Sequence, residues 1–345
     1  MSDHKSRATL ADVAKQAGVS TMTVSRVVNR DGRVSQSTRD RVNSAIAQLK
    51  YAPNLAARTL ARGAVQRVCL LYDNPSEAYL GALLLGALEA ARTTGVNLVV
   101  QQFSTKTPVE SLEDQFERDW DALVLPPPIS ESLGLRRLVA KREIPAAFIS
   151  RADELSHGYC IGIDDESAAS EMTRHLIDLG HRRIGFIHGH PNQVVSALRY
   201  RGFRKALKDA GLPANPDWIA QGYFTFDSGV EAGKVILSAE TRPTAIFASN
   251  DDMASGLIAA ASMRNISVPG ELSVAGFDDS PIASIVSPSL TTIRQPLQDI
   301  ASRAVCAVTG GGHIASDQPA SDRSAAIDVV PYDLVERRST APPVV

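Results

Sequence analysis

The chain has 345 residues, 44% hydrophobic and 21% charged, with a formal net charge of −2 at pH 7. That length accommodates two or three domains, and the composition is that of an ordinary soluble globular protein, which excludes disordered and fibrous classes. The small net charge hides an asymmetry: residues 1–62 carry 11 Lys+Arg against 4 Asp, and the remainder carries 25 basic against 34 acidic residues. A basic head on an acidic body is the layout of a nucleic-acid-binding module joined to something else.

Cys69, Cys160 and Cys306 are scattered, odd in number and without a CxxC pair, so they read as reduced thiols of a cytoplasmic protein. No apolar stretch opens the chain as a signal peptide would. The longest apolar run, 78–91, is too short to span a bilayer and contains Glu89, so no membrane partner is expected.

Taken in chain order, the first predicted element is a short helix. Thr9 can cap it, with Asp12 three residues on to return the bond, and Leu10, Val13, Ala14 and Ala17 line one face. Gly18 and Val19 interrupt it, because glycine takes a left-handed backbone that a bulky residue resists. Ser20 caps a second helix with Val24, Val27 and Val28 inward, and Thr21, Met22, Ser25, Arg26 and Asn29 outward. Two short helices across a tight turn make a helix-turn-helix, whose second helix enters the DNA major groove. A third helix, capped by Ser35, closes the head with Val42, Ala45, Ile46 and Leu49. Pro53 ends it, and 54–62 is a helix-capable stretch too short to be stable alone, read as either a hinge or a plain linker.

From Val65 the texture becomes alternating strands and helices. Val68–Tyr72, a helix over Leu80–Ala91, Asn97–Gln102, Ala122–Leu125 and Ala146–Ser150 form one series. Arg183–His188, Ala245–Ser249 and Leu272–Phe277 form a second. Alternation of this kind predicts parallel sheets covered on both faces. The expected organisation is a head over 1–53, a linker over 54–63 and a two-lobed body over 64–340. Lobe one takes 64–162 plus 293–325, and lobe two takes 163–291 plus 326–340. Ligands bind such sheets beyond the carboxyl ends of their strands.

The phrase Thr9-Leu-x-Asp-Val-Ala-x-x-Ala-Gly-Val-Ser-x-x-Thr-Val-Ser-Arg-Val-x-Asn29 resembles the N-terminal signature of the lactose-repressor (LacI/GalR) family of bacterial transcription regulators. The resemblance continues to about residue 338. It runs through Gly180-His-Arg-Arg-Ile-Gly-Phe-Ile, Arg199-Tyr-Arg-Gly-Phe, Asn250-Asp-Asp-Met-Ala, Val274-Ala-Gly-Phe-Asp-Asp and Leu290-Thr-Thr-Ile-Arg-Gln-Pro, in family order. It implies a small all-α helix-turn-helix head plus an α/β body of two doubly wound parallel-sheet lobes, like a periplasmic binding protein. It also implies a repressor of carbohydrate genes that leaves its operator when a small sugar-like effector binds between the lobes. A purine, nucleoside or sugar acid acting as co-repressor is the alternative, and a sugar-processing enzyme with a DNA-binding head is a remote one.

On this resemblance the DNA partner is a near-palindromic, CG-centred duplex held by a homodimer. Thr21 and Met22 fall where the family reads bases, and methionine offers only apolar contact. Arg26 suits either guanine or a phosphate. Ser20, Thr23, Ser25, Asn29 and Arg33 are expected on phosphates. Thr9 and the linker residues Asn54, Ala57 and Leu60 complete the DNA set, Leu60 as an apolar wedge in the minor groove. The helix Leu80–Ala91 is apolar nearly all round, so one face is expected to meet a second copy. The sequence ends without a heptad run, which favours a dimer over a tail-linked tetramer.

For the effector, Arg199, Asn250 and Asp278 match the family's ligand positions, the alternative for each being a cleft-closing salt bridge or a cap. Tyr72, Asp73, Asn74 and Tyr79 follow the first strand and either edge the cleft or pack locally. Phe224 either stacks on a sugar ring or joins the core. Ser150 and Arg151 end another strand. His188-Gly-His190-Pro-Asn-Gln193 ends a third, with His190 or Gln193 expected on ligand hydroxyls. Two histidines without further ligands at fitting spacing do not make a metal site. Neither GxGxxG, a P-loop, GxSxG nor HExxH occurs, so no cofactor and no enzymatic activity are expected.

Overall fold

The computed structural model describes residues 10–28, 35–49, 66–104, 107–112, 120–149, 158–310 and 326–344. The chain divides into two compact units, Met1–Val65 and Gln66–Val345. Thr9, Asn29, Arg33, the linker residues Asn54, Ala57 and Leu60, and Ser150 and Arg151 lie outside the described residues.

The first unit holds α1 (Leu10–Ala17), α2 (Thr21–Val28) and α3 (Gln36–Leu49). Val13, Ala14 and Ala17 meet Val24 and Val27 and then Val42 and Ala45, so the apolar stripes close one small core. Gly18 sits at φ +64°, and the Val19 N–H donates back to the Ala14 carbonyl at 3.0 Å. That left-handed glycine ends α1 and turns the chain into α2. The Ser20 hydroxyl accepts from the Thr23 N–H at 3.1 Å, the N-cap bond expected of it. At α3 the Ser35 carbonyl accepts from the Thr38 and Arg39 N–H groups at 3.1 and 3.0 Å.

The second unit contains two six-stranded sheets. Sheet one is built from β1 (Arg67–Tyr72), β2 (Asn97–Gln102), β3 (Ala122–Leu125), β4 (Ala146–Ile149), β5 (Tyr159–Gly162) and β11 (Ala326–Val329). Its order is β11-β5-β4-β3-β1-β2, and every pair is parallel. Sheet two is built from β6 (Ile184–His188), β7 (Ile219–Gln221), β8 (Ala245–Ala248), β9 (Ser273–Asp278), β10 (Thr291–Arg294) and β12 (Asp333–Val335). Its order is β12-β10-β9-β8-β6-β7, and only the edge strand β12 runs antiparallel.

Helices cover the sheets. Lobe one carries α4 (Glu77–Thr94), α5 (Leu133–Lys141) and α11 (Leu297–Val308). Lobe two carries α6 (Asp165–Asp178), α7 (Val194–Asp209), α8 (Phe226–Ile236), α9 (Asp251–Ser262) and α10 (Pro281–Ile285). Alternate residues of β1 enter different cores: Val68 and Leu70 join the cluster shared with α4 and α11, while Cys69 and Leu71 join the one under α5. Both faces of the strand are buried, as a parallel sheet requires. A Cβ on Gly86 would lie 2.0 Å from the Gln298 carbonyl oxygen, so α4 and α11 touch backbone to backbone there. On the outer side of α4, Leu85 and Leu88 are 59% and 54% exposed.

The lobe boundaries differ from the expected ones in two places. Residues 291–294 pair with β9 in sheet two, so the second crossing follows Arg294. The strand Ala326–Val329, expected in lobe two, pairs in parallel with β5 of sheet one, and the final crossing follows Val329. The sequence carries only a four-residue strand here, Ala-Ile-Asp-Val. Which sheet edge receives it is decided by pairing with β5, a strand the apolar pattern had not marked. No helix among the described residues is long and apolar enough to cross a membrane.

Candidate functional site

A cavity opens at the carboxyl ends of the strands, between the two lobes of the body. Lobe one contributes Asn74, Ser76 and Tyr79, and lobe two contributes Gln193, Arg199, Phe224, Asn250 and Asp278. Arg199 projects from α7 and is 4% exposed. Its Nε donates to Asp165 Oδ1 at 2.8 Å and its Nη1 to the Ser249 carbonyl at 2.5 Å. Asp278 Oδ1 lies 3.7 Å from the same Nη1. The guanidinium also lies 3.6 Å from the centre of the Phe277 ring, which fixes its plane.

Asp278 ends β9 with φ +110°, and Asp279 follows at +55°. Two successive residues in this region are strained, and the surrounding bonds must hold them. Gln295 donates to Asp278 Oδ1 at 2.6 Å. Asp279 pairs with Arg294 at 2.7 Å and Arg337 at 2.6 Å. Behind them Asp251 is fully buried, accepting from the Thr292 hydroxyl at 2.6 Å and the Ser280 N–H at 2.7 Å.

The carboxylates outnumber the cation. Burial pushes Asp278 up to about 7, with Arg199 pulling against it, and drives Asp165 and Asp251 upward as well. Burial, with the Asp278 charge nearby, also raises the Tyr79 phenol, which stays a neutral hydroxyl. The folded state therefore holds protons that the unfolded chain releases near pH 4. The stability these acids contribute is fullest below that unfolded value and is lost as pH rises toward about 7. A calorimetric series on the full chain is expected to show the body losing about 2 kcal/mol or more between about pH 5 and pH 8. Asp278→Asn should flatten the slope. A melting point that is level or rising over that range would contradict this electrostatic picture.

The structure brings Tyr79, Gln193, Arg199, Phe224, Asn250 and Asp278 together around the cavity. Asn250 is also the N-cap of α9: its Oδ1 accepts from the Met253 N–H at 3.0 Å, and its Nδ2 donates to the Phe224 carbonyl at 3.2 Å. Three of the expected residues do not line the cavity. Tyr72 packs against the hydrophobic cluster that β1 shares with the helices around it. His190 accepts from the Asn192 N–H at 3.1 Å and meets the Tyr223 ring edge-on, so it braces its own turn. Asp73 sits half-buried in the loop after β1, where the chain turns toward Asn74 and Ser76.

Asp165 and Gln295 were missed. Asp165 follows β5, a strand not foreseen, and Gln295 stood in a quoted phrase without a role. Among the described residues no group of His, Cys, Asp and Glu is arranged to hold a metal ion. In the head, α2 presents Thr21, Met22 and Arg26 outward, with Met22 64% exposed. The Ser20 and Thr23 hydroxyls bond each other at 2.9 Å.

Comparison with known proteins agrees with this architecture. Residues 9–54 match the family described as bacterial regulatory proteins, lacI family, and residues 173–340 match the periplasmic binding protein-like domain. The HTH-type transcriptional regulator DegA of Bacillus subtilis (strain 168) is 33% identical over 341 residues, covering 97% of this chain and 99% of that protein. A crystal structure of the lac repressor dimer bound to operator and the anti-inducer ONPF aligns with TM-score 0.70 and 26% identity, over 97% of this chain and 100% of that one. The transcriptional regulator CelR in complex with cellobiose aligns with TM-score 0.70 and 26% identity, over 96% of this chain and 100% of that one. Head, two-lobed body and full-length similarity to DegA together establish that the chain belongs to the lacI family of bacterial regulatory proteins.

Proposed function

We propose that this protein is a sequence-specific repressor of carbohydrate uptake or catabolism genes, released from its operator when a small neutral sugar binds the cleft. The observation that carries the reading is the cavity itself. It lies between lobes, at strand ends, with Arg199 already engaged by Asp165 and the Ser249 carbonyl, and Asp278 facing in. Carboxylates accept hydroxyl protons, and the Phe224 ring and the Tyr79 phenol offer a face and a polar tip to a sugar. Among the described residues an anionic sugar acid or phosphate would meet buried acids and one cation, Arg199, already engaged by Asp165, which is unfavourable.

The rest follows from the same layout. The outward side chains of α2 read a duplex, and a two-fold dimer matches a near-palindromic, CG-centred site. Leu85 and Leu88 on the outer side of α4 supply an apolar face for the second copy. The protein works on cytoplasmic DNA as a regulator and not as an enzyme, a reading supported by the names of its relatives. Effector acts through its preference for one arrangement of the lobes over another.

The test is a thermal-shift screen of the full chain against neutral sugars, sugar acids and purines. A true effector at about a hundred times its dissociation constant adds roughly 2.7 kcal/mol. One class of neutral sugar should raise the melting point, and Asp278→Asn should remove the response. A shift given only by purines or only by sugar acids would refute the assignment.

A further inference from the structure

Helix α7 carries Arg199 into the cavity, yet its first turn is not capped from its own sequence. The N-cap residue, Gln193, has extended backbone and makes no side-chain cap bond. Its side chain is 4% exposed and lines the cavity. The capping acceptor comes from the other lobe: the Val194 N–H donates to Glu131 Oε2 at 2.9 Å, and the Val195 N–H also faces this carboxylate. Glu131 ends a 3-10 turn, Ile129–Glu131, that follows β3. Ile129 and Ser130 are fully buried, and Arg136 Nε donates to the Ser130 carbonyl at 2.6 Å, so the turn is anchored in lobe one.

A second contact of the same kind closes the other side. Ser76, the N-cap of α4 in lobe one, donates its hydroxyl to Asp252 Oδ2 of lobe two at 2.9 Å. Helix α4 carries Tyr79 into the cavity. One cavity-lining helix of each lobe, α4 and α7, therefore has its N-terminus tied to a side chain of the opposite lobe.

We propose that Glu131 is an interlobe cap: closing the cleft completes the N-terminus of α7, and opening the cleft leaves it uncapped. The lobe movement and the local order of α7 are then one equilibrium. The Glu131 carboxyl, which burial pushes up to about 7, offers orphan N–H groups an acceptor and when ionised also meets the positive end of the helix dipole, so it favours the closed arrangement. Gln193 is left free to face the cavity because the opposite lobe does its capping. If the cleft is the effector site, as proposed above, loss of the cap lowers apparent effector affinity by the factor by which it lowers the closed fraction.

The experiment needs no effector, so it fails or succeeds independently of that reading. Amide hydrogen exchange is measured on the full chain and on Glu131→Ala. Exchange at Val194 and Val195 should rise about tenfold, while that at Lys205–Asp209, at the far end of the same helix, should not change. In a Cys306→Ser background, spin labels at Lys141→Cys and Lys234→Cys should show a longer interlobe distance gaining population in Glu131→Ala. Glu131→Gln keeps an acceptor of the same size without the charge, and should fall between wild type and alanine in both readouts. Unchanged exchange at Val194 and Val195 would overturn the cap. Raised exchange with an unchanged distance distribution would overturn its link to closure. If Glu131→Ala exchanges faster throughout lobe two, Glu131→Gln decides, and wild-type behaviour there in both readouts counts against the proposal.

Discussion

Arg199→Ala is expected to lower the unfolding free energy of the body by about 3–5 kcal/mol, the range for removing one partner of a buried ion pair. The substitution leaves Asp165 and Asp278, 5% and 8% exposed, facing one cavity with no cation between them. It also takes the donor from the Ser249 carbonyl and the cation from the Phe277 face. The remaining acids can relieve part of the strain by taking protons, since Asp278 already sits near 7. The loss should therefore be smaller at about pH 5 than at about pH 8. Adding Asp165→Asn should recover part of it, because the two residues form one network and their effects do not add. Urea unfolding by circular dichroism measures both. A loss under about 1 kcal/mol for the single variant would mean that the three charges are better hydrated than their burial implies.

Much of this architecture was legible because burial on both faces writes a simple signal. Val68–Tyr72, Ala122–Leu125 and Ala146–Ile149 read as strands because parallel strands under helices are apolar throughout. The head was legible for a different reason. Its two stripes, Val13-Ala14-Ala17 and Val24-Val27, meet across a turn that only Gly18 allows. Short or polar strands escaped: β7 has three residues, and β12 contributes Asp333 to an exposed antiparallel edge. The lobe assignment of β11 could not be read at all, since nothing local distinguishes one sheet edge from another.

The cavity shows the same division. Arg199, Asn250 and Asp278 were found through phrases that extend over several neighbours. Asp165 and Glu131 were not, because their partners lie 34 and 63 residues away. Their roles exist only once the lobes are assembled. His190 and Tyr72 were drawn in by their position after strands. Position after a strand places a side chain near the cleft but does not decide which way it turns.

The full chain is expected to prefer one near-palindromic, CG-centred duplex over random duplex by about a thousandfold or more at physiological salt. Ser20 and Thr23 tie their hydroxyls together at the start of α2, which leaves Thr21, Met22 and Arg26 as the outward surface. Met22 can meet only apolar base features such as the thymine methyl, and Thr21 and Arg26 supply hydrogen bonds. One head with so few base contacts discriminates weakly, so two heads on a two-fold site are needed. Sugar binding in the cleft should then weaken the specific complex about 10- to 100-fold, in the usual range of an allosteric coupling, and leave random-duplex binding unchanged.

One titration tests the whole account. Full-length protein is equilibrated with a duplex selected from a random pool and with a scrambled duplex, at about 150 mM salt. Each is measured with and without the neutral sugar that raises the melting point. The account predicts a preference of about a thousandfold or more that the sugar largely abolishes. A selected duplex bound less than about tenfold better than the scrambled one, or a specific complex indifferent to that sugar, would contradict it.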